Sequence, residues 1–277
     1  MQHKFAYFGT PAVARETLAT LIERGFTPAL VVTAPDRPKG RGLALTPSPA
    51  KELARAHAIP ILEPERLDAA TIDAIRAYEC DFALVVAYGK IFPEALIAAF
   101  PKGILNVHYS LLPKYRGATP LEAALLAGET ETGVTIQKMA KELDAGDIIA
   151  QKSVAVGPGE TARELRPRLI REGAGLLADS LPAYLAGEIT PVVQDASRAT
   201  FSHKLKKEDG LLALDAPAAE DWNKYRAYAD SIGTYFFENG KRMKVTRAEY
   251  AHGTFRVLRV IPEGKREMAY TDSARKD

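Results

Sequence analysis

The chain has 277 residues, 47% of them hydrophobic, and carries 37 basic against 35 acidic side chains, a formal net charge of +2. That length and apolar content can build one large or two ordinary domains without covalent staples. With so small a charge, whole-molecule attraction to nucleic acid or membrane is weak, and any basic site must be local. Cys80 is the sole cysteine, which excludes an intramolecular disulfide and a zinc site built on several thiolates. No metal is expected, and a reducing, cytoplasmic setting fits best. The opening residues lack the layout of a signal peptide and no apolar run approaches membrane-spanning length, so no membrane partner is expected.

In chain order, short apolar runs alternate with longer amphipathic ones. Phe5–Phe8 reads as a strand, Ala12–Arg24 as a helix, Ala29–Thr33 as a strand and Ser48–His57 as a helix. Pro60–Leu62, a helix around Ala69–Tyr78, the strand Phe82–Ala87 and the strand Gly103–Tyr109 continue this βαβ rhythm. The fold class is therefore α/β, with a mostly parallel, Rossmann-like sheet covered on both faces. Thr132–Met139 and Asp147–Val154 read as two further strands, and Thr161–Ala186 as a long helix with Pro167 as a candidate break or kink. This gives a first domain over residues 1–187.

Residues 188–202 lose periodicity and read as a surface linker. A smaller β domain follows over residues 203–277. Ala216–Ser231 reads as a helix around Trp222, while Thr234–Glu238, Arg242–Arg247 and Thr254–Ile261 alternate like antiparallel strands, with Asn239-Gly240 as a hairpin turn. The stretch Arg247–Gly253 reads as a connection between two of them.

The strand period of two puts Ile104, Asn106, His108 and Ser110 on one face of their strand, with about 7 Å between the Cα atoms of Asn106 and His108. Open α/β sheets place ligands at the carboxyl ends of such strands. About thirty residues later, Leu143-Asp144-Ala145-Gly146-Asp147 supplies carboxylates in a loop that can reach a strand-end imidazole. Amide, imidazole and carboxylate together suit attack on a carbonyl. Asn106 and protonated His108 would stabilise the oxyanion, and Asp144 would orient His108 and help remove a proton from an attacking amine. A lone strand-end histidine or a lone Asp-Ala-Gly-Asp turn is more often structural, so only the combination carries weight. The first βα turn, Phe8-Gly9-Thr10-Pro11, has no G-x-G-x-x-G, which speaks against a dinucleotide cofactor.

Asn106-Val107-His108-Tyr109-Ser110-Leu111-Leu112-Pro113 with Arg116-Gly117, followed by Leu143-Asp144-Ala145-Gly146-Asp147, closely resembles the signature of the 10-formyltetrahydrofolate-dependent formyltransferases. The resemblance implies N10-formyltetrahydrofolate as formyl donor, direct attack by an amine, and Asn106, His108 and Asp144 as the catalytic residues. It also implies folate contacts among Tyr88, Gly89, Ser110, Leu111, Leu112 and Pro113, held largely through main-chain groups.

The loop Thr33-Ala34-Pro35-Asp36-Arg37-Pro38-Lys39-Gly40-Arg41-Gly42, closing at Pro47-Ser48-Pro49-Ala50-Lys51, resembles the branch of that family acting on methionyl-initiator tRNA. Arg37, Lys39 and Arg41 stand there against the single acid Asp36, a composition suited to phosphate contacts. Without the resemblance, an ordinary solvated loop is the better reading. From Lys241 to Arg266 eight basic residues face two acids, a local excess of six that suits an RNA-facing surface or simply solubility. The C-terminal domain of that branch is OB-like, and here it is too short for a complete barrel, so an abbreviated form is expected. A monomer is expected. Two alternatives stay open: a formyltransferase acting on an amino-sugar nucleotide, and a non-catalytic folate- or RNA-binding protein.

Overall fold

The computed structural model describes residues 3–39, 44–215 and 217–271. Its contacts divide into two compact units. One gathers the described residues up to Arg116 with Gly133–Val154 and Arg168–Thr200; the other gathers Gly117–Thr132, Ala155–Pro167 and the described residues from Phe201 onward.

In chain order the elements begin with β1 (Phe5–Gly9), α1 (Ala12–Glu23), β2 (Leu30–Val32), β3 (Arg37–Lys39), β4 (Ala44–Thr46), α2 (Pro49–Ala56), β5 (Ile61–Leu62) and α3 (Ala69–Arg76). Then come β6 (Phe82–Val86), α4 (Glu94–Ile97), β7 (Ile104–His108), β8 (Arg116–Gly117), α5 (Pro120–Leu126), β9 (Glu131–Lys138), β10 (Ile148–Ala155) and α6 (Ala162–Ala186). The remainder is β11 (Phe201–Ser202), α7 (Ala218–Tyr228), β12 (Thr234–Glu238), β13 (Lys241–Ala251), β14 (Thr254–Pro262) and β15 (Met268–Ala269).

The first unit is built on a seven-stranded sheet in the order β10-β9-β7-β6-β1-β2-β5. β1 and β6 are buried along their whole length, which is why they read as continuous apolar runs rather than as alternating ones. The pairs β1–β2, β1–β6, β6–β7 and β2–β5 are parallel, and β7–β9 is antiparallel. The expected mostly parallel sheet is therefore present, with its direction reversed at β9. From β1 the chain winds out through β2 to β5 and then returns to β6 on the other side, a topological switch point at which the carboxyl ends of neighbouring strands open a crevice.

Local chemistry sets the element ends. Ser48 caps α2 by accepting from the Lys51 amide at 3.1 Å, with Pro49 pre-set at the first helical position. Asp68 caps α3 through the Thr71 amide at 3.0 Å. Under the sheet, Phe8 meets the rings of Phe92, Tyr88 and Phe100 edge-on at 5.1, 5.5 and 6.3 Å.

One expectation is corrected here. Pro167 does not break its helix: α6 runs unbroken for 25 residues. One missing N–H is outweighed by burial of Leu165, Leu169, Ile170, Leu177 and Leu181 along its length. Residues 188–202 are mostly exposed but are tied down at two points. Val192 bridges Ile148 through both backbone bonds, at 2.8 and 2.9 Å, and Gln194 is buried.

In the second unit β12, β13, β14 and β15 form a four-stranded antiparallel meander. The turns joining β12 to β13 and β13 to β14 each place two consecutive residues at positive φ, Asn239-Gly240 and His252-Gly253, as two-residue turns matched to strand twist require. Arg247–Ala251 therefore extends β13 rather than joining two strands, a correction whose cause is the unrecognised His252-Gly253 turn. Phe236, Met243, Val245, Phe255 and Val260 make a small core. Trp222 stacks on Tyr225 and Tyr250 at 5.6 and 6.0 Å and anchors α7 to it.

Candidate functional site

The antiparallel register of β7 and β9 pairs Asn106 with Gln137 and His108 with Thr135. Directly paired residues share a face of the sheet, so four polar side chains stand together there. Onto them folds the loop between β9 and β10, carrying Asp144 at φ +49°, a left-handed conformation that a non-glycine residue keeps only when its surroundings hold it.

The holding groups are evident. Gln137 Nε2 donates to Asp144 Oδ1 at 2.9 Å, and Asn106 Nδ2 points at the same oxygen from 3.5 Å. His108 Nδ1 lies 3.7 Å from the other carboxylate oxygen. Gly146 is a steric necessity, because a Cβ there would stand 1.7 Å from the Lys138 carbonyl oxygen. The structure thus brings together Asn106, His108 and Asp144, as expected, and adds Gln137. The signal for Gln137 was in the sequence: Thr135 and Gln137 alternate with Val134 and Ile136, putting two polar groups on one face of a buried strand.

His108 is 5% exposed, and its Nε2 lies 3.0 Å from the Tyr115 carbonyl oxygen. A carbonyl only accepts, so Nε2 carries the hydrogen. In the neutral ring, Nδ1 then turns a lone pair toward Asp144. Burial pulls the His108 pKa below its ordinary value, against the opposing pull of the Asp144 carboxylate and the Tyr115 carbonyl. The resting arrangement is therefore a neutral imidazole beside a carboxylate, ready to take up a proton. Both ring nitrogens are directed at protein acceptors, so Asn106 is the better-placed donor toward an oxyanion.

The folate-side residues fall into two groups. Ser110 is fully buried and donates to the Lys114 carbonyl at 2.6 Å, and Leu112 is buried as well. Thr135 donates to the Ser110 carbonyl at 2.7 Å and accepts from the Leu112 amide at 3.1 Å, so this segment is lashed to β9. Leu111 and Pro113 are half-buried. The Tyr88 ring belongs to the Phe8 cluster, and burial pushes its hydroxyl pKa to about 12. Gly89, by contrast, is exposed at φ +79° with open space where a Cβ would sit. Tyr88, Ser110 and Leu112 are thus buried as whole residues, at 5%, 0% and 3% exposure, which leaves Gly89, Leu111 and Pro113 as the more open of the six.

Of the cationic loop, Arg37 is exposed on β3 opposite Thr46, Lys39 pairs with Ala44, and Arg41 lies outside the described residues. Sequence reasoning missed what holds this loop. Lys51 is 4% exposed and its ammonium contacts Asp36 and Glu63, each at 2.7 Å. Burial acts to lower the Lys51 pKa, but the two carboxylates outweigh it and hold it above its ordinary value. Asp36, the acid set among the loop's cations, is thereby committed to an internal ion triad. Among the described residues no group of three histidine, cysteine or carboxylate side chains is placed to hold a metal ion, and no helix is long and apolar enough to cross a membrane.

Comparison with known proteins matches residues 3–181 to the family described as formyl transferase, and residues 204–259 to the formyl transferase C-terminal domain. The methionyl-tRNA formyltransferase of Geobacter sulfurreducens is 41% identical over 265 residues, covering 94% of this chain and 84% of that protein. Two solved structures share the fold at lower identity. The methionyl-tRNA formyltransferase of Clostridium thermocellum superposes with a TM-score of 0.63 at 15% identity, covering 97% of this chain and 100% of that one. The N-formyltransferase of Helicobacter canadensis, in complex with folinic acid and dTDP-3-aminofucose, superposes with a TM-score of 0.66 at 18% identity, covering 97% and 99%. With the family match spanning the whole Asn106, His108 and Asp144 region, and with such identity along nearly the full chain, the protein belongs to the formyl transferase family, in its methionyl-tRNA formyltransferase branch.

Proposed function

We propose that this chain transfers the formyl group of N10-formyltetrahydrofolate to the α-amine of methionyl-initiator tRNA by direct amine attack. The observation that carries the reading is the convergence of Asn106, His108 and Gln137 on Asp144, in a chain 41% identical to a methionyl-tRNA formyltransferase.

In this reading the site's own groups divide the work. One hydrogen of the Asn106 amide faces Asp144; the other donates to the formyl oxygen as negative charge develops there. Such preorganised donors act strongly because they need no reorientation during reaction. As the nitrogen–carbon bond forms, the amine must lose a proton. His108 Nδ1 takes it, and Asp144, 3.7 Å away, stabilises the resulting imidazolium. When the bond from the formyl carbon to the donor nitrogen breaks, that nitrogen needs a proton, and His108 returns one. The proton count closes, and His108 ends neutral.

Binding of the donor is supported by the fit of two loops. Gly89 offers open backbone, and Ile91 and Leu143 expose apolar side chains suited to a flat heterocycle. Met-tRNA contacts are assigned to Arg37 and Lys39, to Arg41, which lies outside the described residues, and separately to the basic strands β13 and β14 of the second unit. We take the catalytic domain as residues 1–187, the connection as 188–202 and the tRNA-side domain as 203–277, in a cytoplasmic monomer.

The deciding experiment supplies 10-formyltetrahydrofolate labelled in its formyl carbon together with either charged methionyl-tRNA or an amino-sugar nucleotide. Label on the tRNA supports the reading, and label on the nucleotide alone overturns it. Unchanged transfer by His108→Ala would sink the catalytic assignment and favour a binding protein.

A further inference from the structure

Gln194 sits in the segment whose sequence looks like a surface connection, yet it is buried and spends all four of its hydrogen-bonding capacities. Its amide nitrogen donates to the backbone carbonyls of Asp144 and Gly146 at 2.9 and 2.7 Å. Its carbonyl oxygen accepts from Arg116 Nε and Nη2 at 3.0 and 2.8 Å. Arg116 is itself buried. Immediately before it in the chain, Tyr115 provides the carbonyl that receives His108 Nε2.

The dipeptide Tyr115-Arg116 is thus attached to both members of the His108–Asp144 pair. Tyr115 reaches the imidazole directly, and Arg116 reaches the Asp144 loop through Gln194. Backbone bonds between Val192 and Ile148 set the height at which Gln194 enters. A left-handed Asp144 beside the obligatory Gly146 needs such bonds from outside its own loop, since nothing in the local backbone favours that conformation.

We propose that Gln194, braced by Arg116, is a positioning residue that fixes the separation between His108 and Asp144 during formyl transfer. This rests on the reading of that pair as the proton-handling centre. Gln194 touches neither reacting group; it acts through the backbone of the loop that carries the carboxylate. A displacement of about 1 Å in such a pair can cost roughly 100-fold in rate.

The test uses the full chain with Gln194→Glu and Gln194→Met, both close in length to glutamine. The first keeps acceptor oxygens for Arg116 but turns a carboxylate toward two carbonyls; the second removes every bond. Three quantities are read: kcat, KM for each substrate, and the pH titration of the His108 ring by nuclear magnetic resonance. Expected are a fall in kcat of roughly 10- to 100-fold, a KM for methionyl-tRNA within about twofold of the parent, and a shifted His108 titration in both variants. If Gln194→Met does not fold, Gln194→Glu decides alone. Parent kcat together with a parent His108 titration in a folded variant overturns the proposal. His108→Ala and Asp144→Asn run alongside: if these keep turnover, the catalytic reading itself fails, whereas their loss beside an active Gln194 variant condemns only the positioning role.

Discussion

Gln137 holds Asp144 more closely than Asn106 does: the two amides converge on the same carboxylate oxygen, from 2.9 and 3.5 Å. The cross-strand register of β7 and β9 makes that convergence possible. Orientation of the carboxylate is therefore assigned to Gln137, which leaves the Asn106 amide for the reacting oxygen.

Gln137→Leu should then lower kcat without changing substrate affinity. A hydrogen bond to a charged group contributes about 1.5–3 kcal/mol, which corresponds to roughly 10- to 150-fold in rate. Single-turnover formylation under saturating substrates measures it. An unchanged rate would show that Asp144 is oriented without Gln137.

Asn106→Ala should cost more, about 100- to 1000-fold, the range found for removing one oxyanion donor. His108→Ala and Asp144→Asn act on one proton path, so the double substitution should be little slower than the worse single one. Full multiplication of the two losses would mean that they serve separate steps.

The pH dependence of stability follows from His108. Its folded-state pKa lies below the ordinary value, so between the two values the unfolded chain binds the extra proton and the folded chain does not. Stability from this residue is complete above about pH 6.5 and falls as the pH drops toward the lowered folded value. Urea unfolding from pH 7.5 to 5.5 should show this slope in the parent and a shallower one in His108→Gln. Equal slopes in both would contradict the burial argument.

Gly146→Ala places a Cβ where the Lys138 carbonyl stands. Backbone cannot rotate away as a side chain can, so the Asp144 loop must move. The prediction is a loss of at least about 100-fold in kcat, with a destabilisation of about 1–3 kcal/mol, read by thermal unfolding beside the kinetics. Retained kcat would show that the loop tolerates displacement.

Lys51→Met and Arg37→Ala probe the cationic loop in opposite ways. Removing the Lys51 charge leaves Asp36 and Glu63 facing one another, at less than the roughly 3–5 kcal/mol of a fully buried pair because both are 29% exposed. KM for methionyl-tRNA should rise and the melting temperature fall. Arg37→Ala, at an exposed position, should leave the melting temperature alone and reduce the salt dependence of tRNA binding by about one ion. A salt slope identical to the parent's would remove Arg37 from the RNA contacts.

By itself the sequence determined the α/β rhythm, the hairpin at Asn239-Gly240 and the polar pair on one strand face. Each depends on near neighbours: a run of apolar residues, a turn dipeptide, a period of two. The motif around Asn106, His108 and Asp144 likewise lies within two short segments. Tertiary structure alone decided that β9 runs against β7 and so sets Gln137 opposite Asn106. It also decided that Gln194 reaches back 50 positions to Asp144 and 78 to Arg116, and that Lys51 buries its charge between two acids. Strand register, bonds across such separations and the burial of a lone charge follow from how distant segments pack, which no local pattern encodes.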